Sequence, residues 1–145
     1  MAKPKTIREI SSRGSLKTAF AIRLRVFVHE QGVPVHIEMD EEDGGAVHFL
    51  ARFGGHAVGT ARLVLKGGKA KIGRMAVLKS YRRKGIGKRL LRKVVGRARR
   101  HKVDAIFLHA QVAVIDFYAK NGFRGIGRVF EEAGIPHRKM ILRVS

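Results

Sequence analysis

Cysteine is absent from the 145-residue sequence, which excludes disulfide bonds, a thiolate nucleophile and thiolate metal sites. No run of apolar residues approaches the roughly 18 that a membrane-spanning helix needs. The first residues, MAKPKTIREI, contain no apolar segment typical of a secretory signal, so a cytoplasmic location is the default expectation. The sequence has no H-E-x-x-H pattern, and the acidic run at 38–43 lacks calcium-loop spacing, so we predict no bound metal.

Acidic residues are scarce: the chain has 11 of them against 31 lysines and arginines, a formal net charge of +20. Five of the 11 acids fall within residues 38–43, whereas 11 of the 31 basic residues fall within residues 82–102. A surface this basic attracts polyanions, so nonspecific association with nucleic acid is expected. The acidic run is typical of a solvated loop, although it could also attract a cationic amine.

The pattern of apolar residues predicts a mixed α/β domain. Length and composition favour one folded domain over residues 1–145. Strands are predicted at residues 5–10, 46–53, 57–66, 70–77, 104–110, 123–130 and 137–144, and helices at 16–30, 86–100 and 112–121. Residues 35–45 read as an irregular connection. The order is therefore β-α-β-β-β-α-β-α-β-β, in which the fourth and fifth strands form a parallel β-α-β unit.

The segment SYRRKGIGK contains two glycines between a strand and a helix. The strand ends at Val77, and the missing Cβ atoms of Gly85 and Gly87 would let backbone N–H groups approach a diphosphate at the helix N-terminus. A basic helix with an incidental glycine turn remains the alternative. The same glycine spacing recurs at Gly122, Gly125 and Gly127. That second set follows a helix, so it predicts a helix C-cap and a strand kink instead.

Four segments of the chain resemble the GNAT acetyltransferase superfamily. Its acetyl-coenzyme A motif is similar to MAVLKSYRRKGIGKRLL, and its second signature is similar to VIDFYAKNGF. One subgroup of small prokaryotic GNAT proteins resembles VFVHEQGVPVHIEMDEEDGGAVHFLA and FEEAGIPHRKM. The resemblance covers nearly the whole chain and implies a GNAT-type mixed, mostly antiparallel central sheet with helices on both faces.

This resemblance implies a site for acetyl-coenzyme A. The pantetheine arm would lie along the strand residues Met75, Ala76 and Val77. The pyrophosphate would be held by Arg82, Arg83, Lys84, Gly85, Ile86, Gly87 and Lys88. Tyr118 occupies the place of the general acid that protonates the departing thiolate, although a packing role beside Phe117 is the alternative.

The implied chemistry is direct attack of an amine on the thioester in a ternary complex. It needs no enzyme nucleophile, which agrees with the missing cysteine. The backbone N–H of Val77 is the candidate donor to the oxyanion. The candidates for the general base are His109, then His48 and Glu30, the last two also as substrate-binding residues. His109 could equally be a core histidine.

These observations favour an N-acetyltransferase that uses acetyl-coenzyme A and a primary amine as its partners. A basic nucleic-acid-binding protein and a non-catalytic acyl-coenzyme A sensor of the same fold are the alternatives. Homodimers are common among the proteins that the chain resembles. The identity of the acceptor cannot be inferred from the sequence.

Overall fold

One seven-stranded sheet forms the centre of the structure, a computed structural model that describes residues 3–144. Its strands are β1 (Lys5–Ile10), β2 (Val47–Phe53), β3 (His56–Lys66), β4 (Lys69–Val77), β5 (Ala105–Gln111), β6 (Arg124–Glu132) and β7 (Ile135–Arg143). They lie in the order β1-β2-β3-β4-β5-β7-β6. Neighbouring strands are antiparallel except β4 and β5. The predicted mixed, mostly antiparallel sheet is therefore confirmed.

Four α-helices connect the strands: α1 (Arg13–Arg23), α2 (Val35–Glu38), α3 (Ile86–Arg99) and α4 (Ile115–Lys120). Short 3-10 turns lie at Glu41–Gly45, Lys79–Tyr81 and Val112–Val114. The predicted element order is confirmed, with α2 as an additional turn of helix inside the predicted irregular connection. Within residues 3–144, no helix is long and apolar enough to cross a membrane.

The first helix differs from its prediction at both ends. It begins three residues earlier than Leu16, because the Ser12 hydroxyl caps it by accepting a hydrogen bond from the Ser15 N–H at 3.1 Å. After Arg23 the chain continues as a π-helix over Leu24–Glu30. The N–H of Gln31 donates to the carbonyl of Val26 at 3.1 Å, the i to i−5 spacing of a π-turn. Apolar periodicity alone cannot distinguish this wider turn from an α-helix.

Helices cover both faces of the sheet, as predicted. The apolar stripe of α3 is buried in the larger core cluster and comprises Ile86, Leu90, Leu91, Val94 and Ala98. The buried residues of α1 and the π-helix pack in a second cluster with Leu50 of β2 and Ala76 of β4. Side chains alternate along a strand, so Phe49 and Ala51 on either side of Leu50 belong to the α3 cluster.

The acidic segment before β2 is not the solvated loop that its composition favoured, and that expectation is wrong. Arg23 is 1% exposed and binds Glu38 Oε1 through Nε at 2.7 Å and Asp43 Oδ1 through Nη1 at 2.7 Å. Arg62 on β3 binds Asp40 Oδ1 at 2.6 Å. Burial alone would raise the pKa of Asp43, but the bonds and charges of Arg23 and Arg62 outweigh it and lower that pKa. The segment is anchored to α1 and β3 by buried ion pairs.

The last two strands form a tighter hairpin than predicted. Ala133 and Gly134 have φ values of +53° and +76° and make a two-residue turn. Both strands therefore extend to this turn, which aligns Glu132 with Ile135. In the second glycine set, the predicted helix C-cap and strand kink both appear. Gly122 (φ +93°) follows the end of α4, and Gly127 (φ +76°) lies where the β6–β7 register shifts.

Candidate active site

The parallel strands β4 and β5 separate part-way along their length. They pair only through residues 70–72 of β4 and residues 106–108 of β5, yet β4 continues to Val77 and β5 to Gln111. An extra residue in β4 shifts its register against β3, and Arg74 adopts a left-handed φ of +49° at this bulge. The separated halves form the walls of a cleft.

A cavity of about 520 Å³ fills this cleft. It is lined by the end of β4, the end of β5, the π-helix and the β6–β7 hairpin. Six of the residues singled out from the sequence line it: Met75, Ala76, Val77, Arg82, His109 and Tyr118. Glu30 and His48 are not among the lining residues, and the segment 83–88 lies beside the cavity at the start of α3.

Tyr118 extends from α4 toward β4. Its hydroxyl donates a hydrogen bond to the thioether sulfur of Met75 at 3.7 Å, and a thioether is a weak acceptor. Burial raises the pKa of Tyr118 to about 12, because the phenolate would be poorly solvated. The hydroxyl therefore keeps its proton at neutral pH and remains able to donate it within the cleft.

The N-terminus of α3 has the geometry of an anion site. Arg83 (φ +64°) and Gly85 (φ +79°) both adopt left-handed backbone conformations there. No side chain caps the helix, so its first N–H groups lack a capping partner within residues 3–144. A Cβ at Gly87 would meet the Phe117 ring at an ordinary 3.5 Å, so packing inside the protein does not require glycine at that position. Free N–H groups and the helix dipole favour a phosphate at such a terminus.

Arg82 is held by the protein itself. Its Nε donates to the carbonyl of Val77 at 2.8 Å, and its two Nη atoms donate to both carboxylate oxygens of Glu30 at 2.7 and 2.8 Å. The hydrogen bond from Arg82 holds the pKa of Glu30 below its usual range, which makes Glu30 a weak base. This pair ties the end of the π-helix to the end of β4. Its geometry indicates that Arg82 fixes the turn between β4 and α3.

His48 lies away from the cleft. It is 4% exposed, and its Nε2 is 2.9 Å from the carbonyl oxygen of Asp43. The Phe20 ring packs edge-on against it, with ring centroids 5.6 Å apart. Because a carbonyl only accepts, His48 donates here and anchors the acidic segment. The structure therefore does not bring His48 to the cavity as the sequence-based hypothesis required.

Two cavity residues near His109 were not identified from the sequence as site candidates. Glu132 Oε1 lies 3.0 Å from His109 Nδ1, and Glu132 Oε2 lies 3.7 Å from His137 Nε2. All three side chains line the cavity. Within the described residues, no group of three or more histidine and carboxylate side chains could hold a metal ion. The only sequence signal was the segment FEEAGIPHRKM, which carries both missed residues without revealing that its hairpin turns toward His109.

A hydrogen bond also crosses the cleft. Gln111 lies at the end of β5, and Gln31 directly follows the π-helix. Gln111 Nε2 donates a hydrogen bond to Gln31 Oε1 at 2.9 Å. Both glutamines line the cavity, although they are 80 positions apart in the sequence. This bridge links the two sides of the cavity, and no spacing pattern predicted it.

A comparison with family models decides the class of protein. The model described as the acetyltransferase (GNAT) domain matches residues 9–144. The chain belongs to the GNAT family. Among curated relatives, the uncharacterised N-acetyltransferase YjcF of Bacillus subtilis is 37% identical over 127 residues, covering 87% of this chain and 91% of that protein. Protein ElaA of Escherichia coli is 31% identical over 138 residues, covering 92% of this GNAT chain and 90% of ElaA.

Solved structures show the same fold. The crystal structure of Escherichia coli ElaA superimposes with a TM-score of 0.83 and 27% identity over the structural alignment, covering 97% of this chain and 99% of ElaA. An acyl-CoA N-acyltransferase from Pseudomonas aeruginosa superimposes with a TM-score of 0.83 and 28% identity, again covering 97% and 99% of the two chains. The predicted GNAT fold is therefore confirmed over nearly the whole chain.

Membership of the GNAT family assigns this chain to the acyltransferases in general. The family generally uses acetyl-coenzyme A. The comparisons lend no support to the nucleic-acid association or the homodimer expected from charge and resemblance, and both stay predictions.

Proposed function

We propose that this GNAT protein transfers the acetyl group of acetyl-coenzyme A to a primary amine by direct attack in a ternary complex. The observation that carries the proposal is the cleft between the separated ends of β4 and β5, with the Tyr118 hydroxyl 3.7 Å from Met75 on one wall. A thioester lying along β4 would place its sulfur close to a protonated phenol. The family assignment supports the general acyltransfer chemistry.

The N-terminus of α3 fits the diphosphate of the donor. Its first turn has no side-chain cap, so its free backbone N–H groups can bind a phosphate. Backbone N–H groups of residues 83–88 would hold the phosphate oxygens, with the side chains of Arg83, Lys84 and Lys88 adding positive charge. Met75, Ala76 and Val77 would bind the pantetheine arm through their backbone on the free edge of β4.

The donor would supply an activated acetyl group as a thioester. Residues of the chain would stabilise the oxyanion and protonate the leaving thiolate. The Val77 N–H would donate to the carbonyl oxygen as negative charge develops on it. Tyr118 would give its proton to the departing sulfur. Its raised pKa of about 12 supports this role, because the group stays protonated throughout the physiological range. No side-chain nucleophile is needed, in agreement with the absence of cysteine.

The test is release of free thiol from acetyl-coenzyme A in the presence of a panel of amines. The panel comprises polyamines, amino sugars, amino acids and peptides with free N-termini or lysines. We expect at least one primary amine to raise thiol release well above the rate without acceptor. A Tyr118→Phe variant should keep its stabilisation by coenzyme A and lose most of the turnover.

The same assay separates the alternatives. A sensor would be stabilised by acetyl-coenzyme A but would release no thiol with any amine, and Tyr118→Phe would not alter its response. A nucleic-acid-binding protein would show no stabilisation by coenzyme A in high salt, because polyanion binding falls steeply as salt rises. Either result would contradict the acetyltransferase proposal.

A further inference from the structure

The wall of the cavity formed by β5 and the β6–β7 hairpin carries a carboxylate between two histidines. His109 on β5 has a side chain that is 24% exposed, Glu132 at the end of β6 is 43% exposed, and His137 on β7 is 9% exposed. Glu132 contacts His109 through one oxygen at 3.0 Å and His137 through the other at 3.7 Å. The tight β6–β7 hairpin fixes the positions of Glu132 and His137, and the β5–β7 pairing fixes the position of His109.

The hydrogen bonds define the tautomer of His109. A carboxylate can only accept, so the hydrogen between His109 Nδ1 and Glu132 belongs to Nδ1. In the neutral ring the lone pair then lies on Nε2, which has no hydrogen-bond partner within residues 3–144. His109 also lines the cavity. Its ring is fixed with the acceptor nitrogen unpaired, as a general base requires.

The second histidine lies beside the carboxylate. His137 Nδ1 lies 2.7 Å from the carbonyl oxygen of Ile135, which can only accept, so His137 Nδ1 carries a hydrogen. His137 Nε2 lies 3.7 Å from Glu132 Oε2, beyond hydrogen-bond distance. The Phe130 ring packs edge-on against His109, with centroids 5.0 Å apart, and restricts the rotation of that imidazole. One oxygen of Glu132 therefore has a fixed hydrogen-bond partner, His109 Nδ1.

Other charged groups around His109 keep Glu132 ionised. The positive charge of Lys71 on β4 favours the ionised form of Glu132. Lys139 of β7 lies directly opposite His109 in the sheet register. Burial alone would raise the pKa of Glu132, but the hydrogen bond of His109 and the charges of His109, His137 and Lys71 outweigh it and lower that pKa. The carboxylate is thus available as an acceptor across the neutral range.

We propose that His109 Nε2 is the base that removes a proton from the acceptor ammonium, and that Glu132 is its positioning residue. This inference rests on the proposed acetyl transfer. His109 takes one proton, and the freed nitrogen pair forms the C–N bond. Tyr118 protonates the sulfur as the C–S bond breaks, and a second amine proton restores Tyr118. His109 then releases its proton to water, so the products are one amide, one thiol and one proton.

The kinetic test compares His109→Gln, Glu132→Gln and the control Glu131→Gln. Glu131 lies beside Glu132 on β6 and is exposed, so its substitution makes the same change in charge outside the cavity. We expect His109→Gln to lower kcat about 100-fold or more. Glu132→Gln should lower kcat about tenfold with little change in KM, because His109 would lose the carboxylate that fixes its tautomer and ring orientation. Glu131→Gln should change none of these quantities.

Two kinetic results would overturn the inference. If Glu132→Gln raises KM for the amine and leaves kcat unchanged, Glu132 binds the acceptor and does not position His109. If His109→Gln retains kcat, another group is the base. Stabilisation of each variant by coenzyme A, measured as a thermal shift, shows whether the donor site and the fold are intact.

A second measurement needs no acceptor and is independent of turnover. Two-bond proton–nitrogen NMR of the imidazoles at about pH 8.5, where a histidine is neutral, should show His109 protonated on Nδ1 and unprotonated on Nε2. The His109→Gln variant assigns the signal. An Nε2-protonated tautomer would overturn the inference even if acetyl transfer is found. The inferred tautomer without thiol release from any amine would count against the proposed function instead.

Discussion

Replacing Gly87 with glutamate should strengthen the fold while weakening the binding of coenzyme A. Gly87 is the second residue of α3, in an ordinary helical conformation, and a Cβ there would make only van der Waals contact with Phe117 at 3.5 Å. The substitution therefore forces no rearrangement of the protein. It does place a carboxylate where the diphosphate of the donor is proposed to lie.

The two effects have opposite signs and can be estimated. Exchanging glycine for glutamate in a helix contributes about 0.5 kcal/mol, and a negative charge in the first turn adds about 0.3–1 kcal/mol. The free protein should therefore gain about 1 kcal/mol, or roughly 3 °C in Tm. A carboxylate about 6 Å from one diphosphate charge costs about 2.8 kcal/mol at an effective dielectric constant of 20, which is about 100-fold in affinity.

Thermal denaturation with and without coenzyme A measures both effects. At about 100 times its dissociation constant the ligand should stabilise the natural protein by about 2.7 kcal/mol, but at that concentration should stabilise Gly87→Glu by only about 0.4 kcal/mol. Gly96→Glu is the matched control, because Gly96 lies later in α3 with open space around it. It makes the same change in charge and should leave the ligand effect intact. Full stabilisation of Gly87→Glu would refute the diphosphate site at α3.

Three further substitutions test the acid and the buried ion pairs. Tyr118→Phe should lower kcat about 100-fold or more, and an unchanged kcat would exclude the acid role. In the natural protein, kcat should show no fall from ionisation of Tyr118 below about pH 11, because the pKa of Tyr118 is about 12. Arg23→Met should lower the free energy of unfolding in urea by about 3–5 kcal/mol, since the buried Glu38 loses its closest ion-pair partner and keeps only Arg74 Nε at 3.4 Å. A loss below 1 kcal/mol would contradict this. Asp43→Asn should destabilise more at neutral pH than near pH 3, because a lowered pKa gives stability that is fully present above about pH 4 and declines as the pH falls through the lowered pKa. Equal losses at both pH values would refute the assignment.

Local sequence patterns predicted most of the fold. Strand alternation, glycine turns and the apolar stripe of α3 depend on neighbouring residues, and each appears in the structure close to its predicted limits. The π-helix was missed because its apolar stripe resembles that of an α-helix. The acidic segment was misjudged because Arg23, Arg62 and Arg74, which bind its carboxylates, lie on other elements. Long-range ion pairs leave no spacing pattern in the sequence.

In the candidate site too, residues within contiguous motifs could be selected from the sequence, whereas residues brought together by long-range contacts could not. Met75, Val77 and Tyr118 were selected because contiguous motifs carry them, and all three line one cavity, whereas their roles stay predictions. His48 was selected by residue type alone, and the structure shows it buried against Asp43. Glu132 was not selected because only its contact with His109 marks it as a site residue, and the two are 23 positions apart in the sequence. Only the register of the last hairpin brings these two side chains together.

The geometry of the cleft explains how one sheet could serve both substrates. Pairing of β4 with β5 stops after residue 72, so the rest of β4 keeps a free backbone edge and β5 presents His109 from the opposite wall. Tyr118 reaches the β4 side through Met75, whereas Glu132 and His137 reach the β5 side. In our proposal the proton donor and the proton acceptor therefore act from opposite walls. An amine entering between them would lose its proton on one side while the thiolate gains one on the other.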